Sequence, residues 1–131
     1  MITVECPIYW EKLFKTKPSK TYLVGMNWFR NAHHFDQNKF KQDFHQMIIA
    51  QLGLETISGP YLLDIELYYK NSNSDGSNII ALVEKVVLDA FQGHGTIPND
   101  TVKFHLGTTW KVVDQDKSNP RCRITLKEFL T

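Results

Sequence analysis

The stretch from residue 61 to residue 95 reads YLLDIELYYKNSNSDGSNIIALVEKVVLDAFQGHG, and its hydrophobic period changes midway. Over the first nine residues Tyr61, Leu63, Ile65, Leu67 and Tyr69 alternate with Leu62, Asp64, Glu66 and Tyr68. That period of two predicts a strand with one buried and one polar face. NSNSDGSN is rich in turn formers and offers Ser77 as a helix N-cap. From about Ser77 to Gln92 the period becomes helical. At 100° per residue Ile79, Val83, Val86, Val87 and Ala90 share one arc, which predicts a helix packed on a core and closed by GHG.

Upstream, Ile2 to Ile8 alternates loosely and predicts a strand, EKLFKTKPSK a basic loop, and TYLVGMNWF a second short extended segment. Phe40, Phe44, Met47, Ile48 and Gln51 recur at helical intervals, predicting a helix from about Asp36 to Leu52 that Gly53 ends in a left-handed conformation. Downstream, Thr101 to Leu106 and Trp110 to Val113 predict two strands, Asp114 to Pro120 a polar hairpin loop, and Arg121 to Phe129 a last strand. The 131 residues are expected to form an α+β fold: a single domain with a mixed β-sheet and two main helices.

No uncharged apolar stretch reaches the roughly 20 residues a membrane span needs, and MITVECPIYW lacks the basic-then-apolar order of a signal peptide. A soluble, cytoplasmic protein with no membrane partner is expected. Cys6 and Cys122 have no histidine or cysteine at metal-ligand spacing and read as two buried free thiols. The net charge of +1 conceals a segregation. Residues 1–41 carry seven Lys/Arg against three acids and residues 101–131 six against three, whereas residues 42–100 carry two against eight. Basic flanks around an acidic centre suit an anionic polymer held across a carboxylate cluster, and chance clustering on a solvated surface gives the same tally.

On the helix of the opening stretch, Asn78, Lys85 and Asp89 fall within about 40° of one another beside the apolar arc. A lysine and an aspartate four apart also make an ordinary weak surface pair. Asp75 and Asp100 flank the helix, and both are expected to converge on one end of the sheet. Carboxylates near a lysine suit phosphodiester hydrolysis: acids hold a hard cation through oxygen, and the lysine neutralises charge developing on phosphate. Elsewhere Lys12, Lys15, Lys17, Lys20 and Arg30 lie among aromatics as candidate DNA-backbone contacts, and His94, between glycines, is a weaker one.

The parts DGSN, Lys85, DAF and ND before TVKF resemble the signature of the RusA family of Holliday junction resolvases: D-x-D-N, a lysine, D-A-L and a closing D-D before a strand. MNWFRNAHHFDQNKFKQ is similar to the family's segment before its first helix. The resemblance spans most of residues 20–128, with specific motifs in 75–104. It implies a RusA-like fold and a Mg²⁺-dependent endonuclease, Mn²⁺ substituting, that nicks four-way or other branched DNA as a homodimer. Asp75 and Asp100 would be metal ligands, Lys85 a phosphate-facing catalytic lysine, Asp89 a support and Asn78 a DNA contact. Ser77 stands where the family has its second acid, and Asn78 and Lys85 are four residues further apart than usual. Glu66 is the candidate replacement acid. A non-catalytic RusA-like module that binds junctions or a protein is the alternative.

Overall fold

The computed structural model describes residues 1–129. Their elements run β1 (Ile2–Pro7), β2 (Tyr9–Lys12), β3 (Lys20–Leu23), α1 (Met26–Asn31), α2 (His34–Ile49), β4 (Tyr61–Tyr69), α3 (Gly76–His94), β5 (His105–Gln115) and β6 (Arg121–Glu128). Four strands form a mixed sheet in the order β1-β6-β4-β5. β6 runs antiparallel to β1 and β4, while β4 and β5 are parallel. Parallel neighbours need a long crossover, and α3 supplies it. β2 and β3 pair separately as a hairpin. The α+β class and mixed sheet match the sequence reading, with a third, short helix added.

Strand alternation decides which face is buried. Val4 and Cys6 of β1, Cys122, Ile124 and Leu126 of β6, and Tyr61, Leu63, Ile65 and Leu67 of β4 join Phe40, Phe44 and Ile48 of α2 in one core. The whole expected arc of α3 is buried, and so are Ile80, Leu82, Leu88 and Phe91. A helix apolar on most of its circumference must be enclosed on several sides, and α1 and α2 both pack against α3. The alternate strand residues form the opposite, partly solvated face. There Glu5 pairs with Arg121 and Arg123 at 3.0 and 3.3 Å, Glu66 with Lys111 at 3.8 Å, and Asp64 with Lys127 at 4.0 Å.

Several boundaries differ from the sequence reading. TYLVGMNWF is extended only to Leu23, and Met26 opens α1, because Trp28 and Phe29 turn into an aromatic cluster with Trp10, Tyr22 and Phe40. The basic loop is the tip of the β2–β3 hairpin. The two strands expected in 101–113 are one strand, β5, because β4 offers a ladder along its whole length. Thr101 to Phe104 is a turn whose Thr101 carbonyl accepts from Phe104 and His105 N–H. Ala50, not Gly53, caps the end of α2. Among the described residues the left-handed glycine is Gly95, which closes α3 at φ 82°. No helix among them is long and apolar enough to cross a membrane.

Cys6 and Cys122 are buried free thiols, as expected, and they are direct partners in the β1–β6 ladder. Burial pushes the Cys122 thiol up to about 12, and burial together with the facing Cys122 pushes Cys6 well above its ordinary value of 9.0. A thiol held neutral in the fold but free to ionise when unfolded stabilises the unfolded chain once pH passes the ordinary value. Stability is therefore expected to be indifferent to these groups below pH 9.0 and to fall between 9.0 and about 12. Each thiol contributes about 1.4 kcal/mol per pH unit in that window. Urea titrations at stepped pH check this, with Cys122→Ala flattening the alkaline limb.

Candidate nucleic-acid interface

One end of the molecule collects the finish of β1, β4 and β5, the start of α3 and β6, and the β2–β3 hairpin. Two main-chain bonds fix the hairpin there: Ile8 N–H donates to Pro120 O at 3.4 Å and Val24 N–H to Ile8 O at 2.8 Å. Side chains then anchor its base. Trp10 stacks on Tyr22 with ring centroids 6.2 Å apart, meets Phe40 edge-on at 6.0 Å, and donates its indole N–H to Asp43 Oδ2 at 2.8 Å. Such a ring cluster gives the hairpin a rigid seat.

The five expected basic contacts are not equivalent. Lys12 Nζ lies 2.8 Å from Asp36 Oδ1, so this lysine ties the hairpin to α2 and brings little free charge. Lys15, Lys17, Lys20 and Arg30 are exposed, and among the described residues none of them forms an ion pair. Lys17 Nζ sits 4.5 Å from the Phe14 ring centroid. An open pocket of about 300 Å³ is lined by Lys12, Phe14, Lys17, Pro18, Lys20 and Tyr22. Unpaired cations beside half-exposed rings can hold phosphate and stack on a base at once.

The acids are arranged otherwise than the sequence led us to expect. Asp75, not Ser77, is the N-cap of α3: its Oδ1 accepts from Asn78 N–H at 3.3 Å and from the Ser77 hydroxyl at 2.9 Å. Asp100 lies beyond the other end of the same helix. Tyr61, the first residue of β4, donates its hydroxyl to Asn99 O at 2.8 Å, and burial together with the Asp100 charge pushes Tyr61 up to about 12. The 19 residues of α3 span roughly 28 Å at 1.5 Å per residue. Asp75 and Asp100 of one chain therefore do not converge. Glu66 is a third separate acid. It alternates with buried Ile65 and Leu67, so it faces away from α3, opposite Arg123 and near Lys111. Asp75, Asp100 and Glu66 do not fit one Mg²⁺, and among the described residues no three His, Cys, Asp or Glu side chains are grouped to hold a metal ion.

The remaining candidates scatter too. Lys85 is exposed midway along α3 and forms no ion pair with Asp89, which is half-buried in a shallow pocket with Lys41 and His45 of α2. Asn78 is structural: its side-chain oxygen accepts from Asn27 N–H at 2.8 Å, and a Cβ on Gly25 would collide with its amide. It holds α1 against α3 and stays partly exposed at the hairpin end. His94 is exposed at the Asp100 end, 3.3 Å from Gly53 O, remote from the hairpin. A cap role for Asp75 has a direct check. Asp75→Ala is expected to cost about 1 kcal/mol of stability, and Asp75→Asn almost nothing, because asparagine also accepts the cap bond. Thermal unfolding of the two variants separates them.

Sequence reading passed over two residues that matter at the sheet's edges. Gln51, assigned to the helix stripe, bonds the outer edge of β1 through Glu5 N–H at 2.8 Å and Glu5 O at 2.7 Å. Trp110 covers the start of α3, where a Cβ on Gly76 would come within 3.0 Å of its ring. Glycine in DGSN is the available signal for that close approach. Searches against protein-family models and against curated proteins find no match to this chain.

Proposed function

We propose that this protein binds branched DNA, four-way junctions foremost, through the basic end built from the β2–β3 hairpin and α1, and that it works in the cytoplasm of a bacterial cell. The observation that carries the reading is the set of exposed Lys15, Lys17, Lys20 and Arg30, none in an ion pair among the described residues, with Lys17 and Lys20 lining a pocket that also contains Phe14 and Tyr22. Free cations supply sequence-independent affinity for phosphate, and the rings suit the unstacked bases at a branch point. The RusA-like motifs favour the same substrate class.

Nicking of the bound junction is the second reading, favoured by Asp100 and Lys85, which form no ion pair among the described residues. The described residues of one chain do not offer Mg²⁺ or Mn²⁺ a ready set of oxygens, so a cutting enzyme would draw its acids from two copies in a homodimer. A mobility-shift assay with labelled four-way junction, flayed duplex and plain duplex tests binding, and adding Mg²⁺ to the same lanes tests cutting. Preferential retardation of the junction is expected. Equal, weak retardation of all three substrates would contradict the proposal.

A further inference from the structure

We infer that the ring cluster of His33, His34 and Phe35 is the site on which an unpaired nucleobase stacks, with Arg30 on the phosphate beside it; this rests on the proposed binding of branched DNA. The three residues stand where α1 gives way to α2, and all are exposed. Their ring centroids lie 4.3 Å (His33 to His34), 4.3 Å (His34 to Phe35) and 5.0 Å (His33 to Phe35) apart. Phe35 is 70% exposed, more than any other phenylalanine or tryptophan among the described residues. An aromatic face left open to water replaces for a splayed-out base the stacking it loses on leaving its helix.

The cluster is held in place from three sides. His33 is the N-cap of α2, its Nδ1 accepting from Phe35 N–H at 3.2 Å. The Gln37 side-chain amide donates to Phe29 O at 2.6 Å, which ties the first turn of α2 to α1. Asp36, next to Phe35, carries the ion pair with Lys12 and so joins the cluster to the hairpin. Arg30 is exposed in the last turn of α1, three residues before His33. The open ring therefore shares one frame with the free cations. The hairpin's own rings are more occupied: Lys12 and Lys17 ammonium groups lie 4.9 and 4.5 Å from the Phe14 centroid, and Tyr22 stacks on Trp10 and Trp28. A metal ion fits the cluster less well, because His33 Nδ1 is spent on the cap and among the described residues no third ligand joins the two histidines. An apolar protein segment would leave the surrounding cations without a complement, whereas phosphate supplies one.

Anisotropy titrations of the full chain and its variants against a labelled four-way junction, a plain duplex and a single-stranded thymine oligonucleotide test this. Phe35→Ala should weaken junction and single-strand binding about tenfold and leave duplex binding unchanged. The salt slope should stay as it was, since the ring carries no charge, while Arg30→Ala should reduce it by about 1. Phe35→Trp should keep the affinity, and Phe35→Leu, apolar but without a π face, should lose it as alanine does. Unfolding midpoints should not move, because Phe35 stands outside the core. Junction and single strand bound by Phe35→Ala as tightly as by the unaltered chain would overturn the inference and leave the DNA-binding reading standing. A chain that retains no DNA of any kind would overturn both.

Discussion

Replacing Lys15, Lys17 and Lys20 together by alanine is expected to weaken four-way junction binding on the order of a hundredfold at about 0.1 M salt, and to flatten the log K against log salt plot by about 2 to 3. These lysines are exposed on the hairpin and form no ion pair among the described residues, and Lys20 joins the β2–β3 ladder through main-chain groups that alanine keeps. Their loss should therefore leave the unfolding midpoint within experimental error. Lys12→Ala should behave in the opposite way. Its ammonium is committed to Asp36, so the change should loosen the hairpin slightly and reduce the salt slope little. Titrating labelled junction with both variants across a salt series distinguishes a steering charge from a tethering one.

Phe40→Ala is expected to have the largest effect on stability, a loss of about 3–5 kcal/mol. Phe40 is fully buried on α2 and meets Trp28 at 5.3 Å, Trp10 at 6.0 Å, Phe29 at 6.0 Å and Phe44 at 4.5 Å between ring centroids. Removing it opens a cavity under the hairpin and α1 together. Since a domain of this kind is stable by only about 5–15 kcal/mol, roughly a fifth or more of the margin disappears. The variant should also bind DNA more weakly at low temperature, where it is still folded, because the hairpin lysines lose their rigid seat. Phe40→Leu, which keeps most of the volume, should recover much of both properties. Chemical denaturation paired with binding at the same temperature measures the two effects separately.

The strongly periodic parts of the fold were legible in the sequence for a physical reason. β4 matched its expected span of Tyr61 to Tyr69 because strict alternation leaves one register. The arc of α3 was legible because five residues at helical spacing can be buried together in no other way. Where tertiary contacts override local preference, the reading failed. MNWF is rich in aromatic residues and reads as extended, yet it forms α1 because Trp28 and Phe29 complete the ring cluster. Gly107 to Thr109 reads as a break between strands, yet β4 keeps that segment in its ladder.

The candidate site was less legible, because spacing along a chain fixes angle around a helix but not which ends of the fold its flanks reach. Asp75 and Asp100 bracket a helix whose expected length alone places them more than 20 Å apart, at 1.5 Å per residue. Once α3 is a crossover between parallel strands, they stand at opposite ends of the sheet. Glu66 was assigned to the polar face of its strand from the alternation itself, and the polar face turns away from α3. The basic hairpin was visible as a run of lysines, but which lysines stay free depends on Asp36, a residue on another element.

Fluorescence anisotropy of a labelled four-way junction, titrated with the full chain at several salt concentrations beside a plain duplex of equal length, tests the central claim most directly. Binding by the hairpin cations requires tighter binding to the junction, a steep salt dependence, and loss of about 2 to 3 from the slope in the triple lysine variant. Junction affinity that is insensitive to salt, or unchanged when Lys15, Lys17 and Lys20 are removed, would contradict it.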